Sequence, residues 1–300
     1  MIIVDQLNNS FGIKDEVRFA KSDNNLIYLQ VSNKHSEATI YLYGAHVTSF
    51  KPRLSNEILW MSPLSSFEMG KPIRGGIPVC FPWFGPHKSD SEKPQHGFGR
   101  LMNWEVTETA TRNSGETVIV FQLCSDEKTK IYWPHNFCAQ LTVVVGQMLE
   151  VKLKVTNLSV NPFEYTCALH SYYRVSSVSD ITISGLQGAS YHSQLELGDF
   201  VQDLPQIRIQ KAETRHYHHT EATCILEDAM QNRKIWVAKA GSKITTVWNP
   251  GKETCATIPD MPDDAYLNFV CIEAVNAFDN IIMLNSGESH TTSAMISLEE

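Results

Sequence analysis

The 300-residue sequence has no apolar run long enough to cross a membrane and little basic charge. A membrane-spanning helix needs about 20 consecutive apolar residues, and the N-terminal segment has neither the basic region nor the long apolar stretch of a signal peptide. The net charge of −8, from 25 basic and 33 acidic residues, disfavours binding to nucleic acid or to an anionic membrane surface. We therefore expect neither partner, although a few arginines suffice to bind a small anion.

Several common catalytic motifs are also missing. The sequence contains no GxGxxG, GxxxxGK[ST], GxSxG or HExxH segment, so nothing in it supports a nucleotide cofactor, a serine hydrolase or a zinc protease. Three histidines, His216, His218 and His219, have no acidic or cysteine partner at ligand spacing, and we expect a solvated loop there. The sequence thus predicts neither a cofactor nor a metal ion.

The seven cysteines are scattered and form no CxxC pair. Most of them lie inside apolar runs, where a reduced thiol behaves as a small hydrophobic side chain. This usage is typical of a reducing compartment, so we expect reduced thiols and a cytoplasmic location.

Short runs rich in β-branched and aromatic residues, separated by turn residues, dominate the sequence instead, and such runs are typical of strands. Residues 139–157 predict a hairpin with its turn at Gly146. The strict alternation after that turn places Val151, Leu153 and Val155 on one face of the second strand.

These strand signals are not accompanied by a long helical periodicity or by the βαβ alternation of a parallel sheet. The predicted class is therefore all-β, with a large antiparallel sandwich or barrel. No linker, charge block or repeat divides the chain, and all-β folds of about 200–250 residues occur as one domain. We predict a single domain over residues 1–300.

Two segments, 72–87 (PIRGGIPVCFPWFGPH) and 94–104 (PQHGFGRLMNW), are dense in proline, glycine and aromatic residues. Such segments cannot form the interior of a regular sheet, so we expect a pair of rigid irregular loops. Guanidinium, amide and imidazole groups within them suit a phosphate or sugar hydroxyls, but also fit surface or carbonyl-capping positions. The candidate ligand-binding side chains are Arg74, Gln95, His96 and Arg100.

Glu273 is the clearest chemical signal, because it lies inside the apolar run FVCIEAV. An unpaired buried carboxylate is costly, so Glu273 is predicted to be paired or to face a cavity. Burial raises the pKa of a carboxyl group toward neutrality, as a general base requires. His170, in CALHSYYRV, is either a satisfied core histidine or an acid–base group that titrates near neutral pH.

These segments, taken in order, resemble a known family. YGAHVTSFKP, IRGGIPVCFPWFGPH, QHGFGR, CALHSYYRV, WNPG and FVCIEA are similar to segments of glucose-6-phosphate 1-epimerases, the hexose-phosphate mutarotase branch of the aldose 1-epimerase superfamily. The resemblance runs from about Tyr43 to Glu273. It implies a galactose-mutarotase-like supersandwich with a sugar site in a cleft.

The resemblance also implies an activity, namely interconversion of the α and β anomers of a hexose 6-phosphate, such as glucose 6-phosphate, by an isomerase that is expected to be monomeric. The roles that it implies are catalysis for His170 and Glu273 and substrate binding for Arg74, Gln95 and Arg100.

One segment departs from the family pattern. Where the family has an acidic residue in a TDRVY-type segment, this chain has ETRHY, which places Thr214 at the acidic position. If the segment is a strand, the adjacent Glu213 points to the opposite face. Two alternatives therefore stay open: a mutarotase for unphosphorylated aldoses, and a carbohydrate-binding protein without catalytic activity.

Overall fold

Two large antiparallel sheets, of eight and nine strands, form the body of the structure, a computed structural model that describes residues 2–299. A four-stranded sheet and a two-stranded ribbon flank them. The prediction of an all-β antiparallel fold is confirmed. Within residues 2–299, no helix has the length and apolar character that a membrane span requires.

The strands are short and are joined mainly by turns. In chain order they are β1 (Val17–Lys21), β2 (Ile27–Ser32), β3 (Ser36–Tyr41), β4 (His46–Pro52), β5 (Val79–Cys80), β6 (Glu105–Thr111), β7 (Thr117–Cys124), β8 (Phe137–Val145), β9 (Leu149–Asn157), β10 (Phe163–Tyr165), β11 (Cys167–Leu169), β12 (Tyr172–Arg174), β13 (Ile181–Ser184), β14 (Ser190–Ser193), β15 (Gly198–Val201), β16 (Gln206–Ile207), β17 (Glu213–Tyr217), β18 (Cys224–Asp228), β19 (Arg233–Ala240), β20 (Ile244–Asn249), β21 (Phe269–Asn276), β22 (Ile282–Leu284) and β23 (Ser289–Leu298). The α-helices are α1 (Ile2–Phe11), α2 (Glu127–Tyr132) and α3 (Gly251–Cys255).

The eight-stranded sheet has the order β15-β14-β17-β20-β21-β11-β5, with β12 also paired to β21. The nine-stranded sheet has the order β16-β13-β18-β19-β23-β9-β8-β7-β6. Strands β11 and β21 of the first sheet contact β23 of the second. The two sheets therefore pack face to face, as in a sandwich.

Strand β21 is buried on both faces, and its alternation decides where Glu273 points. Val270, Ile272 and Ala274 belong to the large apolar cluster between the sheets. Cys271 belongs to a separate cluster on the other face. Since successive side chains of a strand point to opposite faces, Glu273 shares the face of Cys271 and points away from the main core.

The predicted hairpin over residues 139–157 is confirmed. Strands β8 and β9 pair antiparallel in one continuous register. Val151, Leu153 and Val155 are fully buried on one face, as the alternation predicted.

The N-terminal helix α1 was not predicted from the sequence. Val4, Leu7 and Phe11 pack against the main core from one side of this helix. Their spacing of three and four residues is the helical one, but the helix has only 10 residues and escapes a search for long periodic runs.

A disulfide joins Cys124 and Cys138, so the expectation of reduced thiols is wrong for this pair. The two residues lie directly opposite each other on β7 and β8, with a Cα–Cα distance of 4.1 Å. The register of two strands, which the sequence alone does not reveal, creates this contact. The other five cysteines are buried free thiols.

Candidate active site

His170 and Glu273 face each other across adjacent strands. Leu169 of β11 lies opposite Ala274, and Tyr172 of β12 lies opposite Cys271. The register is continuous between these pairs and places His170 opposite Glu273. The His170 Nε2 and Glu273 Oε1 atoms are 3.4 Å apart, so the prediction that Glu273 is paired or faces a cavity is confirmed.

Residues 72–87, predicted as an irregular loop, contain the short strand β5, which pairs with β11 at the end of the eight-stranded sheet. This segment also holds the two residues between β11 and β12 in place. The amide of His170 donates a hydrogen bond to the carbonyl of Pro78, and the amide of Tyr172 donates to that of Gly76. Gly76 has a φ of +63°, and a Cβ there would lie 2.2 Å from the carbonyl oxygen of Val47. Only glycine fits this close approach, which brings the loop to the site.

The pair of His170 and Glu273 is almost completely shielded from solvent, with side-chain exposures of 10% for His170 and 1% for Glu273. Burial raises the pKa of Glu273 well above its usual value. Burial also lowers the pKa of His170 well below its usual value, and the nearby His96, Arg100 and Arg74 add to this effect. Burial therefore favours the neutral forms of both groups in the unliganded pair, and transfer of one proton between them would create an imidazolium and a carboxylate.

Aromatic rings fix the imidazole of His170. The ring of Tyr172 stacks on it with centroids 4.9 Å apart, and the half-buried Trp248 meets it edge-on at 5.8 Å. Such stacking restricts the rotation of the imidazole, so its nitrogen stays directed at Glu273. The sequence reasoning did not single out Trp248, although its position two residues after Thr246 on β20 places both side chains on one face.

The guanidinium of Arg74 lies beside Tyr172 and is hydrogen-bonded through its Nε and Nη1 atoms. Its Nε donates to both carboxylate oxygens of Asp260, at 3.1 and 3.3 Å, and its Nη1 donates to the Tyr172 hydroxyl at 3.4 Å. Burial acts to lower the pKa of Arg74, but Tyr172 and Asp260 outweigh it and raise the pKa. Asp260, which the sequence reasoning missed, thus orients the guanidinium and keeps it charged.

Arg100 is buried and forms no salt bridge with a carboxylate of residues 2–299, although the more distant Asp260 acts to raise its pKa. Its Nη2 donates to the main-chain carbonyl of Gln95 at 2.8 Å, and its Nε has no hydrogen-bond partner among residues 2–299. Burial lowers the pKa of this guanidinium. A buried charge is costly unless an opposite charge compensates it, so this position favours an anion. The side chain of Gln95 is exposed, and its observed contribution is the carbonyl that holds Arg100.

His96 is a neutral hydrogen-bond donor in the same cleft. Its Nδ1 accepts a hydrogen bond from the amide of Gly85 at 3.1 Å, so its proton resides on Nε2. Burial, together with the charges of Arg100 and Arg74, lowers its pKa to about 3. Its ring lies 5.8 Å from that of His170.

The ETRHY segment is strand β17, and its alternation follows the prediction. Thr214 lies opposite Trp248, on the face that carries the acid–base pair. Glu213 points to the other face, where its carboxylate pairs with Arg215 at 2.8 Å. The hydroxyl of Thr214 is therefore the polar group that β17 itself presents at this position.

The expected solvated loop at residues 216–219 is wrong for His216. This residue belongs to β17 and is buried, and its Nδ1 lies 2.8 Å from the hydroxyl of Thr246. His218 and His219 instead share the carboxylate of Asp279, at 2.8 and 3.2 Å. The strand register that carries His216 into the sheet is a long-range feature, which residue spacing does not show.

Together these groups define a class of protein: an antiparallel β-sandwich with a buried carboxyl–imidazole pair beside two guanidinium groups. Such a site performs general acid–base chemistry on a small polar ligand. The family model for aldose 1-epimerase matches residues 28–297, and the chain belongs to this family. It is therefore an isomerase of the epimerase type, whose substrate is a sugar.

Two curated relatives extend over most of the chain. A Salmonella typhimurium protein is 35% identical over 253 residues, which is 82% of each chain. An Escherichia coli protein is 34% identical over the same length and the same shares. Both carry the name "Putative glucose-6-phosphate 1-epimerase".

Solved structures share the fold over nearly the full length. A Salmonella typhimurium protein described as a "putative mutarotase" has a TM-score of 0.90 and 29% identity, covering 99% of both chains. A galactose mutarotase-like protein from Clostridium acetobutylicum has a TM-score of 0.75 at 14% identity, covering 95% of this chain and 98% of that one. The supersandwich expected from the sequence resemblance is thus confirmed.

Proposed function

We propose that this protein interconverts the α and β anomers of a hexose 6-phosphate, with glucose 6-phosphate as the favoured substrate. The observation that carries the proposal is the buried guanidinium of Arg100, which lies near the acid–base pair and whose Nε has no hydrogen-bond partner among residues 2–299. A sugar phosphate supplies both the anion that Arg100 lacks and the hydroxyls that the pair acts on. The names of the two curated relatives agree with this substrate.

Glu273 and His170 carry the proton transfers. Over the 3.4 Å between their nearest nitrogen and oxygen, one proton first moves from the carboxyl group to the imidazole. The carboxylate then accepts the proton of the anomeric O1 hydroxyl, while the imidazolium donates its proton to the ring oxygen O5 as the C1–O5 bond breaks. Rotation about C1–C2 in the open-chain aldehyde and the reverse transfers close the ring as the other anomer.

Arg74 and Arg100 hold the phosphate in this proposal, and His96 donates from Nε2 to a substrate oxygen. Charge-assisted hydrogen bonds of this kind keep the open-chain sugar in place until it recloses. The bound phosphate also offsets the positive charges that help to lower the pKa of His170. Substrate binding therefore makes the imidazolium form easier to reach.

The test is anomer exchange measured by NMR saturation transfer, with glucose 6-phosphate and glucose at equal concentration. The expected result is fast exchange of the phosphorylated sugar and much slower exchange of the free sugar, each corrected for the spontaneous rate. Equal acceleration of both sugars would contradict the phosphate selectivity. No acceleration of either would contradict the enzymatic proposal itself.

We also propose that residues 1–300 act as one domain, as a monomer in the cytoplasm. The single domain is supported by one apolar cluster whose members run from β1 to β23. The cytoplasmic location is supported by the five buried free thiols, whereas the disulfide between Cys124 and Cys138 counts against it. Sedimentation at micromolar concentration tests the monomer, and a mass of twice 33.8 kDa would contradict it.

A further inference from the structure

Cys271 takes no part in the proton transfers, yet it lies next to both groups that carry them. Cys271 and Glu273 are two residues apart on β21 and share one face, and His170 faces them from the neighbouring segment. One ligand atom of each residue, namely an imidazole nitrogen, a thiol sulfur and a carboxylate oxygen, lies within 4.8 Å of the other two. All three side chains are buried.

We propose that His170, Cys271 and Glu273 bind a divalent cation of the zinc class, and that this cation inhibits the enzyme by occupying the acid–base pair. Imidazole, thiolate and carboxylate are the three protein ligands of zinc. The nitrogen and sulfur donors select Zn²⁺ and its relatives Cd²⁺ and Co²⁺ over Mg²⁺ and Ca²⁺, which prefer oxygen alone.

The distances fit this ion. Zinc binds imidazole nitrogen and carboxylate oxygen at about 2.0–2.1 Å in tetrahedral geometry, so two such ligands lie about 3.4 Å apart. The His170 Nε2 and Glu273 Oε1 atoms are 3.4 Å apart. A thiolate at about 2.3 Å from the ion lies about 3.6 Å from each of the others. The three ligand atoms lie within 4.8 Å of one another, so the sulfur of Cys271 needs to move by up to about 1.2 Å to reach this distance.

Hydrogen bonding and charge also favour occupation. The Glu273 Oε2 atom is buried and has no hydrogen-bond partner among residues 2–299, so the carboxyl group has no competing interaction on that side. The neutral imidazole of His170 offers its nitrogen lone pair directly. Binding releases one proton each from the thiol and the carboxyl group to solvent, and the complex of M²⁺ with two anionic ligands is neutral. That neutrality limits the repulsion from the nearby Arg74 and Arg100.

The experiment compares wild type with Cys271→Ala and with a matched control, Cys224→Ala. Cys224 is also a buried free thiol, but it lies on β18 in the nine-stranded sheet. Binding is followed by titration with Cd²⁺, whose bond to a thiolate absorbs in the ultraviolet. Inhibition is followed by anomer exchange of glucose 6-phosphate against Zn²⁺, with each variant scaled to its own rate in chelator.

The expected result is Cd²⁺–thiolate absorption in wild type and Cys224→Ala, and its loss in Cys271→Ala. Zn²⁺ should inhibit Cys271→Ala at least tenfold more weakly than wild type, because even outer-sphere partners of a metal site change affinity by about 10–100-fold. Glucose 6-phosphate should compete with the cation. If the Cys271→Ala protein does not fold, the Cys271→Ser protein is used in its place.

Two results would overturn the proposal: no thiolate absorption in wild type, or the same absorption and inhibition in wild type and the Cys271 variant. The inhibition measurement depends on the proposed epimerase activity, whereas the Cd²⁺ titration does not. A protein without epimerase activity that still shows Cys271-dependent absorption would contradict the proposed function while keeping the cation site.

Discussion

The substitution Glu273→Gln tests the acid–base pair most directly. Glutamine keeps the shape of the side chain but can neither accept nor release the catalytic proton. Proton transfer by a positioned group contributes about 10²–10⁴-fold to a rate, which corresponds to about 2.7–5.4 kcal/mol of transition-state stabilisation. We expect the anomer exchange of glucose 6-phosphate to fall by this factor.

The same substitution should leave the protein more stable at neutral pH. Burial raises the pKa of Glu273 above the 4.5 of an ordinary glutamate. Above pH 4.5 the folded state therefore binds more protons at this site than the unfolded state, and stability falls as the pH rises toward the folded pKa. Each unit of that shift corresponds to about 1.4 kcal/mol. Glutamine does not titrate, so the advantage of Glu273→Gln should grow with pH over this range.

Glu213→Gln is the matched control, because Glu213 is also a buried glutamate of the eight-stranded sheet but points to the opposite face. We expect it to retain the exchange rate of wild type. Saturation transfer gives the rates, and thermal unfolding between pH 4 and pH 8 gives the stabilities. Wild-type exchange in Glu273→Gln, or an equal loss in a folded Glu213→Gln, would refute the assignment of the base.

The other predictions concern the acid and the phosphate. His170→Asn should lower the exchange rate by about 10²–10⁴-fold while circular dichroism shows an unchanged fold; wild-type rates would exclude it as the acid. Arg74→Ala removes a charge-assisted contact worth about 1.5–3 kcal/mol. The KM for glucose 6-phosphate should therefore rise about 10–150-fold, and the KM for glucose should rise far less. Equal effects on the two KM values would contradict the role of Arg74 in phosphate binding. Added phosphite should accelerate the exchange of free glucose in wild type but not in Arg74→Ala, because an anion at the arginines offsets the charges that lower the pKa of His170. Acceleration of the same size in both proteins would mean that phosphite acts only as a buffer catalyst.

The strands, the hairpin and the pairing of Glu273 followed from the sequence because they rest on local rules. Alternation within a strand identifies the buried face of β9 and places Glu213 on the opposite face from Thr214. A carboxyl group inside an apolar run signals a paired or cavity-facing position wherever the strand lies, and Glu273 is such a group.

The rest of the site depends on register, which residue spacing does not reveal. The contact of His170 with Glu273 joins segments 103 positions apart and needs the alignment of β11 and β12 on β21. The contact of Arg74 with Asp260 spans 186 positions. The burial of His216 and the bond between Cys124 and Cys138 likewise follow from which strands become neighbours.

The proposed preference for an anion rests on the local field and not on the net charge of −8. Arg74 and Arg100 both help to lower the pKa of His96 and of His170, so their positive potential reaches both imidazoles. Surface carboxylates, which produce the negative total, lie in high dielectric and are screened within about 10 Å at ordinary salt. A buried guanidinium that forms no salt bridge among residues 2–299, as at Arg100, is unfavourable in the unliganded protein. An anion that compensates it binds only the folded state, and therefore stabilises the fold as its concentration exceeds Kd.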